Sequence, residues 1–299
     1  MSNSTITLDA AFTLPNGTVI KNRLFKSAMS EQLGDKQHNP SQGLANLYKR
    51  WAQGGLGLAM SGNIMIDRSA LGEPKNVVLD ERSNLNLFRQ WTKSGTENGT
   101  HLWAQLNHPG KQIPNFIVDE PVAPSAIALK RGLEKGFNKP RALKEDEILD
   151  IIQKFATAAR LAKESGFTGV QIHGAHGYLV SQFLSPSHNQ RDDQWGGSLE
   201  NRMRFVREVY KAIRSEVGAD FPVGIKLNSA DFMKGGFSEE DSMQVIKQLS
   251  DDGIDLIEVS GGTYESPAMV GHRDKDEQPK ASTVKREAYF LEYAESVSQ

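Results

Sequence analysis

The chain has 299 residues, and its 35 Lys and Arg residues nearly balance its 37 Asp and Glu residues, giving a formal net charge of -2. This balance provides no basic surface on the scale that nucleic acids or anionic membranes attract, so small or neutral partners are expected. The absence of cysteine excludes disulfides, thiol nucleophiles, iron–sulfur clusters and cysteine-ligated zinc.

The sequence shows neither the pattern of a membrane-spanning segment nor that of a signal peptide. No apolar run is long enough to span a bilayer, and residues 1–5 lack the basic and apolar regions of a signal peptide. The sequence therefore predicts a cytoplasmic protein. A chain of this length can bury one large core or two modest ones, and we interpret residues 1–299 as a single domain.

The first predicted element is a β-hairpin. Alternating apolar residues, Ile6, Leu8 and Phe12, precede the turn Pro15-Asn16-Gly17, and a strand-like stretch follows at 18–20. Alternation on both sides of a tight turn is typical of a hairpin. We expect it to form a lid at the entry of the domain.

Six apolar strands alternate with helical segments in the rest of the chain. The predicted strands lie at 23–29, within 54–62, and at 101–106, 169–172, 222–227 and 256–260. The predicted helices run through 48–53 and over 85–97, 145–164, 199–217 and 238–252. The last of them begins with a capping box formed by Ser238 and Asp241. An amphipathic segment at 286–297 closes the chain. The long loop 107–141 is expected to shape a substrate pocket. A second long polar loop, 185–197, leads into the helix that starts at residue 199.

This alternation predicts an α/β fold with a parallel sheet and right-handed crossovers. A doubly wound sheet and a (β/α)8 barrel both fit, but no strand is followed by a glycine-rich dinucleotide or phosphate loop. Polar or small residues stand at the ends of many successive strands, which favours a TIM (β/α)8-type barrel whose mouth forms the site. These residues are Ser27, Gly62, Gln105, His173, Lys226 and Gly261.

The motif His173-Gly-Ala-His176-Gly-Tyr178 closes the strand 169–172 and is the predicted centre of the chemistry. Two imidazoles and a phenol supply donors that can polarise a carbonyl group and a proton that can be transferred. A His-x-x-His pair can also bind a metal. No third ligand at a fitting spacing is evident for it, so we expect no metal.

Longer motifs carry a resemblance to a known family. The segment Phe183-Leu-Ser-Pro186, with Asn189, Arg191, Asp193 and then 195–205, joins the histidine motif, and supporting motifs lie at 14–17, 21–23, 26–29 and 105–110. Over essentially the whole chain this resembles the flavin-dependent Old Yellow Enzyme group of ene-reductases. Trp195 stands where that family usually has Tyr. The chain also ends after six strand–helix units, where the family continues with two more units that hold the flavin phosphate.

The resemblance implies FMN as the cofactor and NADH or NADPH as its reductant. The flavin-binding residues it implies are Ser27, Ala28, Met29, Gly62, Gln105, His173 and Lys226. Lys226 replaces an arginine that is usual in the family and keeps its charge but not its bidentate geometry. The resemblance implies that His173 and His176 bind an oxygen of the substrate's activating group. It also implies that Tyr178 donates a proton to the α-carbon of the substrate.

The implied reaction is the reduction of the C=C bond of small α,β-unsaturated carbonyl compounds. No nucleic-acid or membrane partner is expected for the protein. Homo-oligomerisation is left open. Two alternatives remain at this point. One is a barrel without strands seven and eight that is non-catalytic or binds flavin weakly. The other is a metal-dependent barrel lyase or hydrolase.

Overall fold

The computed structural model describes residues 6–265 and 289–297. Its α-helices are α1 (Gln42–Gln53), α2 (Leu85–Gly95), α3 (Glu145–Glu164), α4 (Leu179–Leu184), α5 (Leu199–Val217), α6 (Glu239–Asp251) and α7 (Tyr289–Val297). Its strands are β1 (Phe12–Thr13), β2 (Val19–Ile20), β3 (Phe25–Lys26), β4 (Leu58–Met65), β5 (Val77–Val78), β6 (His101–Asn107), β7 (Val122–Ala123), β8 (Arg141–Ala142), β9 (Gly169–Gly174), β10 (Val223–Asn228) and β11 (Leu256–Ser260).

The main sheet has the strand order β11-β10-β9-β6-β4-β3, with the short β5 beside β4. The pairs β3–β4, β4–β5, β4–β6 and β6–β9 are parallel. The six strands along this path are the six that the sequence predicts, and helices separate them along the chain. The α/β class with six strand–helix units is therefore confirmed.

Several elements differ from the sequence predictions. Strand β3 is only two residues long, whereas β4 extends three residues beyond its predicted end at Gly62. Helix α4 lies where no helix is predicted. All six of its residues are buried, so it lacks the one-sided apolar pattern from which a surface helix is recognised. The short strands β7 and β8 pair within the predicted 107–141 loop.

The predicted N-terminal hairpin is confirmed by the antiparallel pairing of β1 with β2. Hydrogen bonds join it to residues that precede or begin two sheet strands. Asn16 Nδ2 donates to the backbone oxygen of Asp220, and His101 Nε2 lies 3.1 Å from the backbone oxygen of Val19. The hairpin thus covers the amino-terminal ends of these strands, the ends opposite those where the predicted site residues stand.

The described chain forms two compact units, and the first comprises residues 6–109, 145–172 and 208–224. Aromatic rings fill its core: the ring centroid of Trp91 lies 5.2 Å from that of Tyr48 and 5.3 Å from that of Phe167, both edge-on. Trp103 is also fully buried. The Trp51 ring is partly exposed and lies 4.4 Å below the Lys26 ammonium.

The second unit comprises residues 110–144, 173–207, 225–265 and 289–297. Phe183 of α4 stacks on Phe205 of α5 with 4.1 Å between ring centroids. Arg202 of α5 donates to the backbone oxygen of Leu184 and pairs with Asp241 of α6 at 3.0 Å. These contacts make Arg202 a structural residue. The interpretation of residues 1–299 as a single domain stays a prediction.

Some predicted features lie outside the described residues. They are the polar N-terminus 1–5, the loop that follows β11 from residue 266 onward, and the first residues of the 286–297 segment. Within the described part of the chain, no helix combines the length and apolar character needed to cross a membrane.

Candidate active site

The chain turns sharply after β9, and this turn brings the two histidines of the motif together. Strand β9 ends at Gly174, and the next residues adopt left-handed backbone angles, with φ of 62° at His176 and 78° at Gly177. Such angles are uncommon for residues other than glycine. The turn reverses the direction of the side chain, so that the imidazole centroids of His173 and His176 lie 5.2 Å apart and edge-on.

Tyr178 completes this cluster at the end of the turn. Its ring centroid lies 4.8 Å from that of His173, and it is 8% exposed. Its hydroxyl lies 2.9 Å from the hydroxyl of Tyr264, beyond the end of β11. The structure thus brings together the three predicted catalytic residues, whose roles stay predictions, and adds a second phenol that the sequence does not predict.

Both imidazoles of the cluster are neutral at pH 7. Burial, followed by the neighbouring His176 and Lys226, holds the pKa of His173 well below its usual value. Burial lowers the pKa of His176 to about 4, with a further contribution from the Lys226 ammonium and an opposing one from Glu258. A neutral imidazole has one N–H donor and one acceptor nitrogen.

Hydrogen bonds indicate which nitrogen carries the proton. His173 Nδ1 accepts from the backbone N–H of Ala175 at 3.3 Å, which leaves the proton on Nε2. His176 Nε2 lies 2.7 Å from Ser260 Oγ. When Ser260 donates this bond, the proton of His176 is on Nδ1. The cluster then presents two N–H donors and a phenol.

Lys226 lies in β10 within the same unit and is 8% exposed. Its ammonium pairs with the carboxylate of Glu258 on β11 at 3.0 Å, and both side chains are nearly buried. A buried cation without a counterion would be costly, so this pair explains how the strand accommodates it. The positive charge that the sequence predicts at this position is present, but Glu258 partly neutralises it.

Five other predicted site residues belong to the first unit. Gln105 of β6 is 1% exposed, and its Nε2 donates to Gln171 Oε1 at 2.7 Å. Gly62 of β4 is buried, and a Cβ there would collide with the backbone oxygen of Met29 and the carboxylate of Glu31. Glycine is therefore required at this position by close packing. In the segment that follows β3, Ser27 and Ala28 are half-buried and Met29 is 52% exposed.

A buried polar network that the sequence does not predict surrounds Gly62. Lys26 Nζ donates to Glu31 Oε1 at 3.0 Å and to the Tyr48 hydroxyl at 3.1 Å. The same hydroxyl accepts from the backbone N–H of Gly62 at 3.1 Å. Burial and the Glu31 carboxylate raise the pKa of Tyr48 well above its usual value, so the phenol stays protonated. The lysine inside the apolar 23–29 stretch was the sequence signal for such a network.

The metal alternative lacks a ligand set in the part of the chain that the structure describes. No group of three or more His, Cys, Asp or Glu side chains there is arranged to hold a metal ion. His173 and His176 have the Ser260 hydroxyl and the Tyr178 ring as close neighbours, not a third strong metal ligand.

Comparisons with known proteins support the resemblance. Residues 10–294 match the family model described as NADH:flavin oxidoreductase / NADH oxidase family. The NADH-dependent flavin oxidoreductase iliE of Hypocrea jecorina is 38% identical over 98% of this chain and 75% of its own length. A 2-naphthoyl-CoA reductase in complex with 2-naphthoyl-CoA superposes with a TM-score of 0.85 at 28% identity, over 97% of this chain and 44% of that one.

A third similar protein is the old yellow enzyme homologue from Zymomonas mobilis. Its structure superposes with a TM-score of 0.77 at 28% identity and covers 85% of this chain and 73% of its own. These structural neighbours are TIM barrels, so the predicted TIM (β/α)8-type architecture is confirmed. The chain thus spans about three quarters of two of these proteins and less than half of the third.

Proposed function

We propose a reaction for this chain from one premise: it belongs to the NADH:flavin oxidoreductase / NADH oxidase family, whose model matches nearly all of it. Membership makes it an FMN-dependent oxidoreductase with NADH or NADPH as the reductant. We infer that its substrates are small molecules with an activated C=C bond, namely α,β-unsaturated carbonyl compounds.

The chemistry of the buried side chains fits FMN. The edge of the flavin ring carries carbonyl oxygens and ring nitrogens, which need neutral donors and acceptors, and it becomes negative on reduction. In the second unit, His173 presents an N–H donor and Lys226 a cation. In the first unit, Gln105 is a buried amide. We propose that these residues bind the flavin, together with Ser27, Ala28, Met29 and Gly62, and that the flavin supplies the hydride.

His173 and His176 are proposed to bind the carbonyl oxygen of the substrate. Negative charge develops on this oxygen as the β-carbon accepts a hydride, so donors aimed at it stabilise the transition state more than the ground state. Both rings are neutral. His173 has its Nε2–H to give, and His176 has its Nδ1–H when Ser260 donates the bond to Nε2. Their burial keeps water away and strengthens these hydrogen bonds.

Tyr178 is proposed to donate the second hydrogen as a proton. Its ring lies against His173, so a substrate held by the imidazoles would have its α-carbon near the phenol. A proton on the α-carbon and a hydride on the β-carbon complete the reduction of the double bond. The observation that carries the proposal is that the rings of His176 and Tyr178 both lie edge-on to the His173 ring, with centroids 5.2 Å and 4.8 Å from it.

The test begins with an absorption spectrum of the purified protein, with and without added FMN. A flavin spectrum and NADH or NADPH oxidation stimulated by 2-cyclohexenone are expected. A protein that gains no flavin absorption with added FMN would instead favour the alternative of a weakly binding, non-catalytic barrel.

Substitution of the histidines then tests their role. In the His173→Ala, His176→Gly double variant we expect flavin to stay bound, while the long-wavelength charge-transfer band that phenols induce is lost. These substitutions remove both N–H donors, and glycine tolerates the left-handed backbone at position 176. His38→Gln, at a half-buried histidine bonded to the backbone of Asn76, is the matched control and should keep the band. Phenol binding by the double variant would contradict the assignment of both side chains.

A further inference from the structure

We propose that Tyr264 is a positioning residue that supports proton donation by Tyr178. This inference rests on the proposed function. The two hydroxyl oxygens lie 2.9 Å apart, and the two rings meet edge-on with centroids 5.9 Å apart. No other feature of the proposed reaction uses Tyr264, yet it is in hydrogen-bond contact with the group that must lose a proton.

The backbone holds the Tyr264 segment against the histidine turn. Gly262 N–H donates to the backbone oxygen of Ala230 at 2.9 Å, and Asn228 Nδ2 donates to the backbone oxygen of Gly262 at 3.0 Å. The next residue, Thr263, forms a parallel β-bridge with His176. The turn that carries His176 and Tyr178 and the segment that carries Tyr264 are therefore joined directly.

A buried network of Glu265, His188 and Lys111 anchors the residue that follows Tyr264 in the chain. Glu265 Oε1 accepts from the backbone N–H of Lys130 at 2.8 Å, and its Oε2 lies 3.3 Å from His188 Nε2, an electrostatic contact without good hydrogen-bond alignment. His188 Nδ1 lies 2.9 Å from Lys111 Nζ. Burial, reinforced by Lys111, lowers the pKa of His188 to about 3, so a neutral imidazole stands between a buried cation and a buried anion.

The charges within this network are buried and costly to rearrange. Burial lowers the pKa of Lys111 to about 8, and the charge of Glu265 opposes this shift. The network holds Glu265 in place, and with it the backbone next to Tyr264. Phe137 packs edge-on against the Tyr264 ring, with 6.3 Å between the ring centroids.

The second phenol acts in the proton-transfer step. The O–H bond of Tyr178 breaks, its proton forms the new C–H bond at the α-carbon, and the bonding electrons stay on the Tyr178 oxygen. That oxygen gains negative charge, and Tyr264 donates a hydrogen bond to it. Solvent then returns a proton to Tyr178, so no further reactant is needed. Hydrogen bonds to charged oxygens are stronger than those to neutral ones, so Tyr264 stabilises the transition state more than the resting pair.

The test measures the two halves of the reaction separately with FMN-loaded protein in a stopped-flow instrument. In Tyr264→Phe we expect flavin reduction by NADH or NADPH within twofold of the unmodified rate, and reoxidation by 2-cyclohexenone slowed by about 10- to 100-fold, the loss typical of one hydrogen bond to a charged group. Reoxidation by ferricyanide, which needs no proton at carbon, should be unchanged. The Tyr178→Phe, Tyr264→Phe double variant should be no slower than Tyr178→Phe alone.

The controls separate this inference from the proposed function. Tyr210→Phe removes a phenol that contacts Arg214 of its own helix and should leave all rates unchanged. If Tyr178→Phe slows reoxidation by the enone and Tyr264→Phe does not, the inference is wrong and the proposed function stands. If Tyr178→Phe has no effect, the proposed donor itself is wrong. An equal loss with ferricyanide, or an additive loss in the double variant, would also overturn the positioning role.

Discussion

Gly62 shows how the absence of a side chain allows close packing inside β4. A methyl group there would collide with the backbone oxygen of Met29 and the carboxylate of Glu31. We predict that Gly62→Ala lowers the free energy of unfolding by about 1–3 kcal/mol, the usual cost of overpacking, as measured by urea denaturation. Gly43→Ala in α1 is the control, because its nearest neighbour would be Ser41 Oγ at 3.5 Å. Equal stability of the Gly62→Ala variant would refute the close-packing role.

The ion pair of Lys226 and Glu258 sets the charge that the proposed flavin site offers. Removing the carboxylate takes one negative charge away from the Lys226 ammonium and so stabilises negative charge on a reduced flavin. We predict that Glu258→Gln raises the reduction potential of bound FMN by on the order of 30 mV, equivalent to about 1.4 kcal/mol. Titration against a dye of known potential measures the shift.

The control for this prediction is an exposed pair. Asp251→Asn breaks the i,i+4 contact with Lys247, whose side chain is 76% exposed, and should leave the potential unchanged. An unchanged or lower potential in Glu258→Gln would contradict the proposed action of the Lys226–Glu258 pair on the flavin.

Local sequence signals identify part of the candidate site. His173, His176 and Tyr178 lie within six residues, so their motif alone predicts a cluster. Tyr264 stands 86 positions beyond Tyr178, and Glu258 is an ordinary acidic residue in a strand until the fold places it beside Lys226. Partners separated so far along the chain leave no local pattern, and only the three-dimensional structure reveals them.

Among the elements, helix α6 begins with the cap that the sequence predicts. Ser238 Oγ accepts from the backbone N–H of Asp241 at 3.2 Å. The Asp241 carboxylate binds Arg202. We predict that Ser238→Ala lowers the free energy of unfolding by about 1 kcal/mol, because one N–H of the first turn loses its acceptor.

Chemical denaturation measures this effect, and Ser250→Ala near the end of the same helix is the control. Ser250 is exposed, and alanine has the higher helix propensity, so a small gain or no change is expected there. A similar loss in both variants would assign the effect to serine in general and not to the cap.

The elements that the sequence predicts well are long and have one apolar face. Helices α3 and α5 have the predicted bounds, 145–164 and 199–217. Helix α4 is missed because it is short and buried on every side, and β3 is overestimated because its apolar stretch pairs with β4 through only two residues. The periodic spacing of apolar residues arises when one face of an element packs in the core and the other faces solvent. Elements that are buried on every side lack this spacing and are therefore not predicted from it.

At the scale of the whole molecule, neutral histidines make the fold sensitive to acid. The pKa values of five histidines are lowered, in each case first by burial: His101, His108, His173, His176 and His188. An unfolded chain takes up these protons below about pH 6.5, whereas the folded chain takes them up only at lower pH, near 4 for His108 and His176 and near 3 for His188. The contribution of these histidines to stability is therefore fully present above about pH 6.5 and is lost as the pH falls.

We predict a melting temperature that drops steadily between pH 7 and pH 4.5. His108, which is 3% exposed and has its pKa lowered to about 4, alone accounts for about 3 kcal/mol by pH 4. Thermal unfolding at fixed ionic strength measures the trend, and His108→Gln should reduce its slope. A melting temperature that is constant from pH 7 to pH 5 would contradict the prediction.

Composition and strand–helix alternation predict the α/β class of the whole molecule, and the motif set predicts its family. The choice between a doubly wound sheet and a barrel depends on where the ends of distant strands meet, which neither composition nor periodicity encodes. Residues at strand ends favour the barrel, and structural neighbours confirm it.

The left-handed backbone at His176 limits what evolution can place there. Among residues other than glycine, asparagine, aspartate and histidine are the ones enriched at a φ near 62°, and of these histidine and asparagine carry a side-chain N–H. Any homologue that keeps both this turn and its donor should therefore vary at position 176 between those two amino acids.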